Sequence, residues 1–165
     1  MVETLIAARD AAAHLTEKGF TFLDTDLTPT EWSFAKISCE AKRIGQRLQR
    51  LGFEKGDRIA LVLNAPQDFV LSFLGAISAG VLPVPMYPPL ALGRLDNYLD
   101  RAVGILRVSG AKGLLTTKDL IPVLRPVRKR VPTLNNLIDI EQLQQMTVES
   151  AAKDIDVQPG DTCFL

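Results

Sequence analysis

Only a few side chains in this 165-residue chain have the types and spacing that chemistry needs. Gly75 and Gly80 are spaced as in G-x-x-x-x-G, the glycine pattern of a loop whose backbone N–H groups cradle phosphate. Val81 and Leu82 follow where that pattern needs Lys and then Ser or Thr, and both glycines fall within or just after a helical apolar run. No G-x-G-x-x-G occurs, and the turn Asn64-Ala65-Pro66 has no glycine to approach a pyrophosphate. His14 is the sole histidine and has no nucleophile or carboxylate set around it, so it reads as a surface or packing residue. The carboxylate pairs Asp24/Asp26 and Asp154/Asp156 fall in polar, turn-forming stretches and read as solvated loop charges. Cys39 and Cys163 are far apart and form no C-x-x-C, which argues against zinc and a disulfide framework and for a reducing compartment. Arg125, Arg128, Lys129 and Arg130 cluster at what reads as the solvated end of a helix. By residue chemistry alone the chain holds no assembled catalytic, cofactor-binding or metal-binding set.

Bulk properties narrow the classes further. Lys plus Arg, at 19, equals Asp plus Glu, at 19. A net charge of zero argues against a nucleic-acid or anionic-membrane partner, either of which needs a basic face. The hydrophobic fraction of 47% allows a sizeable core, and the length suits one domain or a piece of a larger one. Glu3, Arg9 and Asp10 interrupt any secretory apolar segment, so a cytoplasmic protein is expected.

The central stretch runs from Phe69 to Gly93 with no charged residue. Gly75, Gly80, Pro83, Pro85, Pro88 and Pro89 break it, which rules out one membrane-spanning helix. It reads as a buried helix over 66–79, a glycine stop at Gly80, a strand over 81–86, and then Tyr87-Pro88-Pro89. Before it, Ile37, Ala41, Ile44, Leu48 and Leu51 line one helical face, with Gly52 placed for a left-handed cap. Residues 59–63 are apolar without alternation, the pattern of a parallel strand covered on both faces. Asn64 is a candidate N-cap, with Pro66 in the first helical turn. Further on come a helix through Leu106 ending near Gly110, a strand over 113–116, a helix kinked or delayed by Pro122 and Pro126, and a strand over 137–140. The alternation predicts an α/β fold with a mostly parallel sheet and right-handed crossovers.

One detail of the strand over 81–86 follows from covalent chemistry. N–H groups two residues apart point to the same strand edge. Pro83 and Pro85 both lack that donor, so a regular ladder is expected only on the edge of Leu82, Val84 and Met86, with the proline edge at the sheet border.

Three segments in order, 56–61 (GDRIAL), 74–80 (LGAISAG) and 84–89 (VPMYPP), resemble the opening of the adenylate-forming superfamily of acyl-CoA synthetases, luciferases and peptide-synthetase adenylation domains. Tyr87-Pro88-Pro89 after its strand is most similar to fatty acyl-AMP ligases, and 111–116 and 160–165 fit the same order. The likeness runs from about Phe20 to Leu165. It implies that residues 1–165 are an incomplete N-terminal subdomain of an adenylate-forming enzyme. Its parts would be an amphipathic helix over 1–19, a hairpin over 20–34, βα repeats over 35–140, and a connector over 141–165 that has room for a helical turn and starts another strand. The Ser/Thr/Gly-rich phosphate loop of the family would directly follow a strand like Thr162–Leu165. The resemblance therefore carries over no catalytic residue.

What the resemblance implies for the whole enzyme is activation of a fatty acid by ATP with magnesium, and passage of the acyl group to carrier-protein phosphopantetheine or CoA. Tyr87, Pro88 and Pro89 are the residues it brings nearest to substrate, as a wall near the acyl pocket; a rigid strand-to-helix turn is the plainer reading. A fragment of this kind is expected to be inactive and to self-associate through exposed edges and apolar side chains. The competing reading is a stand-alone, non-catalytic α/β module that binds a partner through its sheet.

Overall fold

The computed structural model describes residues 3–24, 26–89, 95–148 and 155–165. Helix α1 (Leu5–Ala12) leads into a hairpin of β1 (Gly19–Leu23) and β2 (Pro29–Ser33), and α2 (Phe34–Arg50) follows. Then come β3 (Arg58–Val62), α3 (Pro66–Ser78), β4 (Leu82–Pro85), α4 (Leu95–Ser109), β5 (Gly113–Thr116), a 3-10 turn over 118–120, α5 (Ile121–Arg130), β6 (Asn136–Asp139) and α6 (Ile140–Gln145). β4, β3, β5 and β6 pair in that order, all parallel.

Ile59, Ala60, Leu61 and Val62 of β3 are all fully buried, as a strand covered on both faces must be. Ile59 and Leu61 pack with α2, α3 and α6 on one face. Ala60 and Val62 pack with α4 and α5 on the other. Ser33 caps α2 by accepting from Lys36 N at 3.2 Å, and Ile37, Ala41, Ile44 and Leu48 bury its apolar stripe. Gly52 takes φ 85°, the left-handed cap its position requires.

The proline parity of β4 has the expected result. Leu82 N donates to Asp57 O at 2.7 Å and Met86 N to Leu61 O at 3.0 Å, both toward β3. β4 is the border strand, and its proline edge faces away from the sheet.

Several expectations need correction. The N-terminal helix ends at Ala12, and Gly19 opens β1 rather than stopping a helix. Ala65, not Asn64, is the N-cap of α3, with no side-chain cap bond and Pro66 at the start of the helix. Ile140, read as the end of a strand, instead opens a helix over 140–145, where the connector allows a helical turn; Asp139 accepts from Glu141 N at 3.0 Å and caps it. Thr162–Leu165 is not a strand. Leu165 N donates to Pro83 O at 3.1 Å, and Phe164 packs on Phe73 with ring centroids 5.6 Å apart. The proline edge offers carbonyls and no N–H, so the alternating two-way bonds of a ladder cannot form there.

Candidate functional site

The C-terminal ends of parallel strands are where such folds place ligands, and Tyr87-Pro88-Pro89 lies there, directly after β4. Tyr87 is 88% exposed, and Pro88 and Pro89 are half-buried. Among the described residues the Tyr87 ring has no hydrogen bond and no aromatic partner. Among the described residues the three stand at the border of the strand-end surface.

The other polar groups at this end serve the scaffold. The buried Thr116 donates from Oγ1 to Val62 O at 2.9 Å, stitching the ends of β5 and β3. Asp139 is buried as the cap of α6. Asp68, in the first turn of α3, accepts from Gln144 Nε2 at 3.0 Å and ties α3 to α6. Lys118 is exposed on the turn after β5, and Asn64 is exposed after β3.

One residue at this end has no place among the candidate site residues of the sequence. Tyr98 stands in the first turn of α4, packed against the core that includes Val84 and Met86. Its hydroxyl is buried without a hydrogen-bond partner among the described residues, and burial pushes its pKa above the usual phenol range. Nothing in sequence spacing distinguishes such a hydroxyl from one that reaches water. Ser72, fully buried in α3, is in the same position. An unsatisfied buried hydroxyl costs about 1–3 kcal/mol, and its removal recovers part of that. Tyr98→Phe and Ser72→Ala are each expected to raise stability by about 1 kcal/mol. Urea melts of each variant check this; a loss of stability in either shows a partner for that hydroxyl.

A cavity of about 490 Å³ lies at the opposite, N-terminal end of the strands, lined by Leu5, Lys55, Arg58, Leu82, Val157 and Cys163 among others. Its cations are already engaged. Arg58 donates to Ser109 O at 2.7 Å and Gly110 O at 2.8 Å, closing the C-terminus of α4. Lys55 holds Asp161 at 2.7 Å and Asp156 O at 2.7 Å. The Lys55 hydrogen bond holds the Asp161 carboxyl below its ordinary pKa, and burial pushes the Cys163 thiol up. A raised thiol pKa is the opposite of what an activated nucleophile needs.

His14 is exposed just past α1, and Cys39 is exposed on α2. Asp26 accepts from Thr28 N in the hairpin turn, and Asp156 accepts from Gln158 Nε2. Asp154 lies outside the described residues. Among the described residues no three His, Cys, Asp or Glu side chains gather into a metal-binding group, and no helix is long and apolar enough to cross a membrane.

A four-stranded parallel sheet with helices on both faces defines an α/β domain. The chain belongs to the AMP-binding enzyme family, which it matches over residues 9–165. That match begins ahead of Phe20, where the motif likeness begins. The 4-hydroxybenzoate–CoA/benzoate–CoA ligase of Rhodopseudomonas palustris is 30% identical over 119 residues, covering 72% of this chain and 21% of that protein. The long-chain-fatty-acid–AMP ligase FadD26 of Mycobacterium marinum is 29% identical over 109 residues, covering 64% and 18%. Among solved structures, one from a study of fatty acyl-adenylate ligases of E. coli and L. pneumophila superposes with a TM-score of 0.87 at 23% identity, covering 98% of this chain and 29% of that one. At that identity the likeness is one of fold. The chain spans about a fifth of the length of the two relatives named.

The family implies ATP and magnesium for a whole enzyme. Among the described residues the strand-end groups do not fit them, since Asp68, Thr116 and Asp139 are each engaged in the scaffold. No reaction step is therefore assigned to them.

Proposed function

We propose that this chain is the N-terminal portion of a ligase that activates a fatty acid as its acyl adenylate and passes it to a carrier protein or CoA. The observation that carries the reading is the superposition of nearly the whole chain on a fatty acyl-adenylate ligase structure, with Tyr87-Pro88-Pro89 placed at a C-terminal strand end. In that reaction a carboxylate oxygen attacks the α-phosphorus of ATP and pyrophosphate leaves. A thiol of the carrier or CoA then attacks the acyl carbonyl and AMP leaves. This portion contributes scaffold. Adjacent prolines leave the 87–89 loop little conformational entropy to lose, which suits a fixed wall for an acyl chain. The free thiols of Cys39 and Cys163 support a reducing, cytoplasmic compartment. Exposed Phe20, Leu23, Leu27, Phe164 and Leu165 support self-association of the isolated chain, which light scattering decides.

A second reading, an aromatic carboxylate as the acid, is favoured by the benzoate ligase relative. ATP–pyrophosphate exchange by an enzyme that carries this chain at its N-terminal side separates the two. Greater exchange with a long-chain fatty acid than with benzoate is expected, and the reverse overturns the first reading. Faster product formation with CoA than with a holo carrier protein removes the acyl-AMP ligase branch.

A further inference from the structure

A net charge of zero averages over faces, and this fold separates its charges. The layer formed by α4, the 118–120 turn and α5 carries seven Lys or Arg against three Asp. Arg107 donates to Arg130 O at 2.9 and 2.7 Å, and Arg130 pairs with Asp100 at 2.8 Å. These contacts fix α4 alongside α5 on the same face of the sheet. Arg101, Arg125, Arg128 and Lys129 are exposed, with no carboxylate partner among the described residues.

Apolar side chains stand among these cations. Arg101, Ile105 and Val108 follow one another at i, i+4 and i+7 and so share one face of α4. Ile105 is 45% exposed and Val108 93%. A Cβ placed on Gly104 would meet nothing within 4 Å. The pair therefore stands on an open ridge, not in a groove.

We propose that this face docks on an anionic lipid surface. Guanidinium and ammonium groups are attracted to lipid phosphates, and clusters of this size bind anionic bilayers. Ile105 and Val108 would enter the headgroup layer as the second, apolar signal that stable surface binding needs. A protein partner would have to present a pocket for a protruding valine; a fluid headgroup layer needs none. The expectation against an anionic membrane rested on net charge, and the placement of α4 beside α5 removes its basis. The proposal is independent of the ligase reading.

Flotation of the purified chain with vesicles tests it. Binding is expected to phosphatidylcholine vesicles that contain phosphatidylglycerol, and not to phosphatidylcholine alone. Added salt is expected to weaken it. With about a fivefold loss per basic residue, R125Q/R128Q/K129Q should lose roughly a hundredfold in partitioning. V108S should lose about threefold, from partial burial of its methyls. All four side chains are exposed, so unchanged thermal melts are expected to show that the fold is kept. A chain that stays unbound with the anionic vesicles overturns the proposal, as does a triple variant that floats as well as the unaltered chain. Capture by a soluble acidic protein without vesicle binding also overturns it, in favour of a protein partner.

Discussion

Purified residues 1–165 are expected to give no fatty-acid-dependent ATP–pyrophosphate exchange above a mock preparation. Adenylation develops charge around phosphorus, and preorganised donors supply most of the rate. At the strand ends, where such donors are needed, Thr116 donates to Val62 O and Asp139 caps α6. Lys118 is exposed on its turn, where water screens its charge. Arg125, Arg128 and Lys129 stand toward the C-terminus of α5. That helix runs back toward the start of the strands, so its basic end lies far from the loop after β4. Loss of one positioned donor costs roughly 3 kcal/mol, about a hundredfold in rate; here no described donor is both positioned and unengaged. Saturable ATP binding at millimolar nucleotide is not expected either. Exchange above the mock rate would show a phosphate site formed by groups that the strand-end reading overlooks.

Much of the scaffold was legible because local covalent rules governed it. The unalternating run of β3 announced a strand covered on both faces, and the parity of Pro83 and Pro85 announced which edge of β4 would be paired. The sequence allows a helical turn in the connector from Glu141, but not its start at Ile140, which Asp139 sets as the cap of α6. The apolar residues 162–165 suggested a strand, but pairing depends on the edge they meet, and that edge lacks donors. The place of Tyr87-Pro88-Pro89 at a strand end followed from the apolar run before it; the 88% exposure of the tyrosine did not. The orphan hydroxyl of Tyr98 and the basic layer of α4 and α5 are products of tertiary placement. Residues far apart in sequence share a surface only once the crossovers put both helices on one face.

Gly75→Val is expected to lower stability by about 3 kcal/mol, the upper part of the usual range for an overpacked core. The glycine sits where α3 crosses α2. A Cβ added there would stand 2.6 Å from Ile44 Cβ and 3.2 Å from Ala41 O. Gly45 faces it from α2, and a Cβ on that residue would stand 2.9 Å from Gly75 O. Ile44 is fully buried among Leu48, Leu71 and Ala76, so it has no space to retreat into. The helices would have to separate, and the contacts of the core between them would loosen together. A domain of this size moves in melting temperature by about 2–4 °C per kcal/mol, so a drop of roughly 10 °C is expected. Gly104→Ala on the open ridge of α4 supplies the opposite sign. A Cβ there meets nothing within 4 Å, while alanine gains up to about 1 kcal/mol over glycine in a helix interior. Thermal melts of both variants beside the unaltered chain read the two effects at once. A Gly75→Val chain as stable as the parent would mean that α2 and α3 part without cost, and the close crossing would no longer account for either glycine.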